Sequence, residues 1–288
     1  MIANFATLLL HLAGSTATPG TQPPLMVIQN VGFDGSEAAR YDAERDEYLV
    51  SNLTARGPEN NGFISRVSPD GKVISLKWIT GGVNGVTLAD PLGMYLHGDL
   101  LYVADISAVR LFDRKSGAPR GNIEIPDAVR LNDLVVAKDG TVYVTDSGND
   151  TMPGALFSIN AKGEVSTFAP RDPALERPNG ITVDADGHII HGGRGVNLVT
   201  RNRQGHIIGE RTLPTGQFDG IVLLPNGDTV VASQLGKNVY RVPADSSPPV
   251  VVADNIEVPA AIGIDHKRMR LLVPQIRNSS VSIFNLGD

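Results

Sequence analysis

Short apolar stretches alternate with turn-forming residues along almost the whole chain. After the N-terminal segment no apolar period of 3.6 residues is sustained, so the pattern predicts strands and few helices. Tight-turn pairs recur between β-branched stretches, at Asp139-Gly140, Asp186-Gly187 and Asn226-Gly227. Such pairs favour type I′ hairpins, in which both turn residues need a positive φ. Further turns close a second hairpin in several units, at Asp70-Gly71, Lys162-Gly163 and Gln204-Gly205. We therefore expect an all-β fold built from units of four antiparallel strands.

The strand–turn–strand layout repeats six times. Equivalent positions lie just before the first strand of each unit, roughly 40–55 residues apart, at Glu37, Leu92, Asn132, Asn179, Asp219 and Ala260. Four strands in about 40–50 residues are typical of one propeller blade. The repeat therefore predicts a six-bladed β-propeller in which the six equivalent side chains surround the central axis.

The last unit is one strand short. The residues after Ala260 leave room for three strands, expected at 262–265, 270–273 and 280–284. An apolar stretch at 25–31 can supply the missing outer strand, so that the last blade is closed by the N-terminal strand. Pairing of this kind protects sheet edges and joins the two ends of the chain. We expect residues 25–288 to form a single propeller domain.

Residues 1–24 precede this domain as a leader and linker. Residues 5–13 are apolar and are followed by Ser15, Thr16 and Ala17, which together resemble the apolar and cleavage regions of a signal peptide. The apolar stretch is too short to span a bilayer, so we expect no membrane span. The leader favours a secreted or periplasmic protein over a cytoplasmic one, with an uncleaved amphipathic leader as the alternative.

Composition and charge remove several classes of function. The 25 Lys and Arg against 31 Asp and Glu give a net charge of −6, and no basic run is present, which argues against a nucleic-acid partner. The absence of Cys excludes disulfides, zinc ribbons, iron–sulfur clusters and thiol nucleophiles. The motifs of P-loop NTPases, serine hydrolases with a nucleophile elbow and dinucleotide-binding enzymes do not occur.

Four of the six equivalent positions carry an oxygen-bearing side chain: Glu37, Asn132, Asn179 and Asp219. Each can be explained alone, because Asn-Gly and Asp-Gly pairs form turns. Together they indicate a site for a hard cation, since oxygen ligands suit Ca²⁺ or Mg²⁺ better than zinc or copper. The two carboxylates balance one divalent ion, and four protein ligands leave positions open for water and substrate. We expect one divalent cation, with Ca²⁺ first and Mg²⁺, Zn²⁺ or Mn²⁺ as alternatives.

Further residues are expected beside this ion. Arg130 shares a face with Asn132 on an extended segment and can either hold a substrate oxygen or form a surface ion pair. The residues that end the second strands are candidates for the pocket wall: Asn52, Asp105, Asp146, Arg194, Gln234 and Gln275. His188 and His191 are not assigned as ligands, because residues three apart on a strand point to opposite faces. The run 184–187 is interpreted as a hairpin turn, because it lacks the later ligands of a calcium-binding EF-hand loop.

Several motifs carry a family resemblance: Arg130-Leu131-Asn132-Asp133 with Asp139-Gly140, Pro178-Asn179-Gly180, Phe218-Asp219-Gly220, and Glu37 ahead of Tyr41-Asp42. Over roughly residues 26–286 the chain resembles the senescence marker protein/gluconolactonase/luciferin-regenerating-enzyme-like family, which includes regucalcin, bacterial lactonases and, more distantly, diisopropyl fluorophosphatase. Around the first ligand the family usually has Gly-Glu-x-Pro, whereas this chain has Ser36-Glu37-Ala38-Ala39.

The resemblance implies a six-bladed propeller with one divalent ion at its axis. It implies that Glu37, Asn179 and Asp219 are metal ligands and that Asn132 is a ligand or a substrate contact. It also implies that Arg130 contacts substrate and that Asp219 is the general base or nucleophile.

The resulting prediction is a divalent-metal-dependent hydrolase of the lactonase type. The ion would polarise an ester carbonyl, and Asp219 would activate water or attack directly, with Arg130 and Asn132 holding a small lactone or ester. Two alternatives stay open. One is hydrolysis of phosphotriesters or phosphofluoridates at the same ion, and the other is a propeller that binds a ligand or protein, with calcium in a structural role.

Overall fold

Six four-stranded antiparallel sheets form the six blades of a β-propeller in the computed structural model, which describes residues 22–54 and 59–287. Within these residues the only helical element is a 3₁₀ turn at Pro173–Leu175. The all-β, six-bladed fold predicted from the sequence is confirmed. No helix in the described ranges is long and apolar enough to cross a membrane. The predicted leader falls mainly on residues 1–21, which lie outside the described residues.

Strands are numbered in chain order, and each of the first five blades uses four consecutive strands. Blade 1 contains β2 (Ser36–Asp42), β3 (Glu47–Asn52), β4 (Phe63–Val67) and β5 (Val73–Thr80). Blade 2 contains β6 (Pro91–His97), β7 (Leu100–Asp105), β8 (Ala108–Asp113) and β9 (Pro119–Glu124). Blade 3 contains β10 (Leu131–Val136), β11 (Val142–Asp146), β12 (Ala155–Ile159) and β13 (Val165–Ala169).

The second half of the ring follows the same order until its last blade. Blade 4 contains β14 (Ile181–Val183), β15 (Ile189–His191), β16 (Asn197–Arg201) and β17 (Ile207–Thr212). Blade 5 contains β18 (Phe218–Leu223), β19 (Thr229–Ser233), β20 (Asn238–Val242) and β21 (Val250–Ala253). Blade 6 contains β22 (Gly263–Asp265), β23 (Arg270–Gln275) and β24 (Ser280–Asn285), completed by β1 (Met26–Ile28).

Closure of the ring takes the predicted form. In blade 6 the N-terminal strand β1 pairs with β24, with Met26 opposite Ile283 and Ile28 opposite Val281. The first strand of each blade lies beside the first strands of its two neighbours, so the strands β2, β6, β10, β14, β18 and β22 surround the axis.

The hydrophobic core is divided into six clusters, one between each pair of neighbouring blades. Strand β3 shows the reason. Leu49 packs toward blade 2, whereas Tyr48 and Val50 pack toward blade 6. Because successive side chains of a strand point to opposite faces, a blade buried on both faces needs apolar residues at consecutive positions. The sequence therefore shows short apolar runs rather than strict alternation.

The hairpin turns lie where the sequence predicts them, but their geometry differs from the type I′ expectation. At Asp139-Gly140, Asp186-Gly187 and Asn226-Gly227 only the glycine has a positive φ, of 84°, 83° and 88°. At the first of these turns the Gly140 N–H donates to the Ala137 carbonyl, and the Ala137 N–H donates to the Thr141 carbonyl. This is the longer hairpin loop, in which an ordinary turn is followed by one left-handed glycine.

Candidate metal and substrate site

A β-bulge marks the position that faces the axis in four of the six blades. In β10, Leu131 pairs with Asp146 and Leu134 pairs with Val144, so three residue steps on β10 match two on β11. The same shift occurs in blades 1, 2 and 5, directly after Ser36, Pro91 and Phe218. The extra residue interrupts the alternation of the strand and re-aims a side chain.

The residues directly after the first pair of each bulge are Glu37, Leu92, Asn132 and Asp219. The expectation that the equivalent position precedes the inner strand is therefore wrong for these four blades, where it is the second residue of the strand. In blades 4 and 6 the expectation is correct, because Asn179 and Ala260 lie before β14 and β22.

A cavity of about 160 Å³ opens at this end of the axis. It is lined by all five residues predicted to bind metal or substrate, namely Glu37, Arg130, Asn132, Asn179 and Asp219. Leu92 also lines it, whereas Ala260 does not. The other lining residues are Ser147, Arg177, Gly193, Arg194, Gln217, Phe218, Gln234 and Ile276. Residues far apart in sequence thus meet in one polar cavity, as the repeat predicts.

Two carboxylates give this cavity a negative base. Glu37 is 3% exposed and Asp219 is 1% exposed. Burial raises the pKa of Asp219 well above its usual range, and the negative charges of Glu37 and Asp133 raise it further. A hydrogen bond from Asn179 and the charge of Arg40 oppose this rise in the pKa. Negative charges that are brought together and removed from water favour a bound cation.

The hydrogen bonds of Asp219 leave one of its oxygens for a ligand. Gln234 Nε2 donates to Asp219 Oδ2 at 2.6 Å, and Asn179 Nδ2 donates to the same oxygen at 3.2 Å. Gln217 Nε2 donates to Gln234 Oε1 at 2.8 Å and so fixes that amide. Asp219 Oδ1 and Asn179 Oδ1 are buried and receive no hydrogen bond from the described residues. Buried oxygens without a donor are costly, and an all-oxygen set of this kind fits a hard divalent cation.

The end of β11 connects two of the predicted ligands. Asn132 Nδ2 donates to Ser147 Oγ at 3.0 Å, and Ser147 Oγ donates to the Pro178 carbonyl at 2.7 Å. Thr145 Oγ1 donates to the Asn179 carbonyl at 2.6 Å. Because the amide nitrogen of Asn132 is engaged, its side-chain oxygen is the group that remains available as a ligand.

Buried carboxylates hold Arg130 in place. Its Nη1 lies 2.7 Å from Oδ2 of Asp90, which is 1% exposed. The backbone N–H of Arg130 donates to Asp146 Oδ1 at 2.8 Å, and the backbone N–H of Asp90 donates to Asp105 Oδ1 at 2.7 Å. Arg130 is therefore held through both its side chain and its backbone.

The residues that end the second strands divide into two groups. The structure places Arg194 and Gln234 in the cavity wall and places Asn52, Asp105, Asp146 and Gln275 outside it, which corrects the prediction for these four. Three of the four accept hydrogen bonds from backbone N–H groups of the loop before the inner strand of their own blade, namely Asn52, Asp105 and Asp146. Gln275 is buried and donates to Ser282 Oγ at 2.8 Å. These side chains shape the loops that carry the site.

Sequence reasoning missed Arg177, Ser147 and Gln217. A signal for two of them was available. Arg130 stands two positions before Asn132, and in the next two blades Arg177 and Gln217 stand two positions before Asn179 and Asp219. All three line the cavity. The argument used for Arg130 therefore also holds in blades 4 and 5 and would have identified these two cavity residues.

An ion pair closes the axis below the cavity. Arg40 Nη2 lies 3.2 Å from Asp133 Oδ1, and the Arg40 side chain is 14% exposed. The same guanidinium donates to three backbone carbonyls in two further blades, at Met94 in blade 2 and at Ala261 and Ile262 in blade 6. Arg40 also lines a second cavity, at the other end of the inner strands. One side chain thus connects blades 1, 2, 3 and 6 at the centre of the ring.

A separate acidic group lies at the turn between β14 and β15. The ligand atoms of Asp184, Asp186 and His188 lie within 4.8 Å of one another. Asp184 Oδ1 accepts from the backbone N–H groups of Asp186 and His188 at 2.9 and 2.8 Å. These are contacts of the predicted hairpin turn, and none of the three residues lines the axial cavity.

Comparison with known proteins agrees with this architecture. The family model of the SMP-30/Gluconolactonase/LRE-like region matches residues 60–192, which include Arg130, Asn132 and Asn179. The resemblance seen in the sequence is therefore confirmed over this part of the chain. A search of curated proteins finds no matching sequence.

Solved structures share the fold at low sequence identity. A candidate gluconolactonase is 15% identical, with a TM-score of 0.65 over 88% of this chain and 90% of its own. Luciferin-regenerating enzyme is 14% identical, with a TM-score of 0.67 over 91% and 96%. A catalytically inactive His→Ala variant of virginiamycin B lyase from Staphylococcus aureus, with quinupristin, is 14% identical, with a TM-score of 0.62 over 91% and 99%. Identities this low support a common fold alone.

Proposed function

We propose that this protein is a divalent-metal-dependent lactonase that hydrolyses a small lactone or related ester in the axial cavity. The observation that carries this proposal is the convergence of four oxygen-bearing side chains, with Asp219 Oδ1 and Asn179 Oδ1 buried and without a hydrogen-bond donor among the described residues. The family match over residues 60–192 supports a lactonase-type propeller.

Glu37, Asn132, Asn179 and Asp219 would hold one divalent cation, with Ca²⁺ as the first candidate. The two carboxylates supply the charge that balances the ion, and the two amides add neutral oxygens. When bound, the cation supplies Lewis-acid polarisation of the substrate carbonyl. Ca²⁺ takes about 6–8 oxygen ligands, so four from the protein leave room for substrate and water.

The remaining chemistry belongs to side chains of this protein. Arg130 is held by Asp90 and Asp146, so it loses little freedom when it orients a substrate oxygen. Gln234 and Asn179 donate to Asp219 Oδ2, which leaves Oδ1 for the cation and fixes the orientation of the carboxylate that would accept the proton of an attacking water. Asn132 lines the same cavity and would serve as a ligand or a substrate contact.

A lyase reaction is less well supported. Loss of one histidine inactivates the virginiamycin B lyase compared above. The residues that line the axial cavity of the described chain include no histidine. The cavity supplies oxygens and guanidinium groups, which suit hydrolysis at a cation.

The experiment is hydrolysis of glucono-δ-lactone by the purified protein with Ca²⁺, with a chelator, and as Asp219→Asn. We expect chelation and Asp219→Asn each to lower turnover by at least about a hundredfold, the contribution of a positioned acid–base group. The matched control Asp186→Asn makes the same change in the separate acidic turn, and it should keep activity within about twofold. Wild-type activity in Asp219→Asn contradicts the mechanism.

Two further outcomes select the alternatives. Turnover of a phosphotriester without turnover of lactones would favour the organophosphate hydrolase. Ion binding without any turnover would favour a calcium-stabilised binding propeller.

Ligand assignment is tested separately by elemental analysis and calorimetry of Ca²⁺ binding. The variant with both Glu37→Ala and Asn179→Ala loses two of the four ligands and should lose the ion, whereas Asp186→Asn should retain it. An ion that is retained by the double variant would overturn the assignment.

A further inference from the structure

Three guanidinium groups line the axial cavity, and they differ in how their charge is balanced. Arg130 lies 2.7 Å from the buried carboxylate of Asp90. Arg177 pairs at 2.8 Å with Asp150, whose side chain is 93% exposed, so solvent screens this pair. In the described part of the chain Arg194 makes no side-chain hydrogen bond or ion pair, although it lines the same cavity. Arg177 and Arg194 therefore present positive charge that no buried carboxylate neutralises.

The backbone holds these two residues together. Arg177 lies in the loop before β14 and Arg194 in the loop after β15, both in blade 4. The Arg194 N–H donates to the Glu176 carbonyl at 2.7 Å, and the Phe218 N–H donates to the Gly193 carbonyl at 2.7 Å. A side chain at Gly193 would place its Cβ 2.6 Å from the Glu176 carbonyl oxygen and 2.8 Å from that of Arg177. Only glycine permits so close an approach of the two loops.

Positive charge is thus arranged on one side of a cavity whose base is negative. An anionic substituent would be repelled by Glu37 and Asp219 but attracted to blade 4. Guanidinium groups bind carboxylates through two parallel hydrogen bonds.

We propose that Arg177 and Arg194 bind a carboxylate group of the substrate. The preferred substrates are then lactones that carry a free carboxylate in addition to the lactone ester. This inference rests on the proposed lactonase function and specifies its substrate class. Arg177 and Arg194 act as specificity-determining residues, and Arg130 keeps its proposed role as a contact for a substrate oxygen.

The test compares glucarolactone, which carries a free carboxylate, with glucono-δ-lactone, which does not. In the wild type kcat/KM should be higher for glucarolactone. In the variant with Arg177→Gln and Arg194→Gln, the ratio of the two kcat/KM values should fall by at least about tenfold, the effect of losing charge-assisted hydrogen bonds. The matched control is Arg203→Gln, in the turn between β16 and β17, which should leave the ratio unchanged. A wild type without preference, or a ratio unchanged in the double variant, overturns the proposal.

A binding experiment separates this inference from the lactonase function. Calorimetry compares glucarate, a dicarboxylate, with gluconate, a monocarboxylate, in the wild type and in the double variant. If no lactone is hydrolysed but glucarate binds more tightly and loses this advantage in the double variant, the lactonase proposal fails and the carboxylate site stands. Equal affinities for both acids in the wild type overturn the site whatever the activity.

Discussion

Asp133 and Asp219 are buried carboxylates near the same axis, and they differ in what surrounds them. Each is 1% exposed. Asp133 Oδ1 receives the guanidinium of Arg40 and the backbone N–H of Leu134 at 2.9 Å. Burial raises the pKa of Asp133, and the charge of Arg40 opposes this rise. Asp219 receives only neutral amides, and one of its oxygens receives no donor from the described residues.

The difference separates two uses of a buried charge. A buried carboxylate that pairs with a positively charged side chain of the same protein holds neighbouring strands together. A carboxylate whose cation is missing from the fold is costly to bury, and it persists where a ligand supplies the charge. The comparison therefore identifies the Arg40–Asp133 pair as a structural ion pair and supports the proposal that Asp219 binds a ligand.

The largest effect should come from breaking the structural pair. Arg40→Met leaves Asp133 buried without a cation, and we expect the free energy of unfolding to fall by about 3–5 kcal/mol. Denaturant unfolding measures this loss. Adding Asp133→Asn to Arg40→Met should recover part of it, whereas Asp219→Asn should cost little in metal-free protein. Equal losses for Arg40→Met and Asp219→Asn would remove the distinction.

A smaller effect on the free energy of unfolding should follow when Ca²⁺ supplies the positive charge beside Asp219. Ca²⁺ at about one hundred times its Kd should raise the free energy of unfolding by about 2.7 kcal/mol, because the ion binds only the folded state. Thermal unfolding with and without chelator measures this change. Asp219→Asn should abolish it, and Arg40→Met, although less stable, should retain it. Stabilisation of Asp219→Asn by Ca²⁺ would contradict the placement of the ion.

The smallest effect concerns the pH dependence of the free energy of unfolding. It depends on His191, a buried histidine that its surroundings keep neutral. It is 2% exposed, and burial together with the charge of Arg201 lowers its pKa to about 3. A depressed histidine pKa stabilises the fold above the unfolded pKa of about 6.5 and loses this stabilisation as pH falls toward the folded value. From pH 6.5 to 5 the free energy of unfolding should therefore fall by about 2 kcal/mol on account of His191.

Unfolding curves at several pH values test this slope. The free energy of unfolding should depend less on pH in His191→Gln than in the wild type. The matched change His206→Gln, in an exposed turn, should leave the pH dependence as it is in the wild type. An equal slope in His191→Gln would mean that another group carries the pH dependence.

The fold could be predicted because it depends on a repeated local pattern. Turn pairs, apolar runs and six equivalent positions all survive in the sequence, and so does the strand that closes the ring. The convergence of Glu37, Asn132, Asn179 and Asp219 could also be predicted from the sequence, because equivalent positions in a closed ring lie around the same axis.

The turn explanation for Asn179-Gly180 and Asp219-Gly220 failed for a physical reason. Neither glycine is among the residues with positive φ. A Cβ at Gly180 would lie 1.7 Å from the Asp219 carbonyl oxygen, and one at Gly220 would lie 2.1 Å from the Ile262 nitrogen. These glycines are needed because inner strands approach closely at the axis, a long-range contact that local sequence does not report.

The same crowding explains why the structural pair was missed. The position after each equivalent residue is Ala or Gly in five blades and Asp133 in the sixth. A Cβ at Gly93 would lie 2.1 Å from Asp133 Oδ1, so the carboxylate occupies space that the neighbouring blade leaves open. Its partner Arg40 comes from another blade, and nothing in the spacing of the two residues indicates the contact.

The pairing of β1 with β24 also sets an order of events. During synthesis β1 emerges before the five blades that follow it, whereas its partner strand β24 emerges only after all of their strands. A three-residue strand cannot hold a sheet by itself, so β1 must wait until nearly the whole ring exists. We therefore expect ring closure to be a late step of folding, governed by the entropy of joining distant segments.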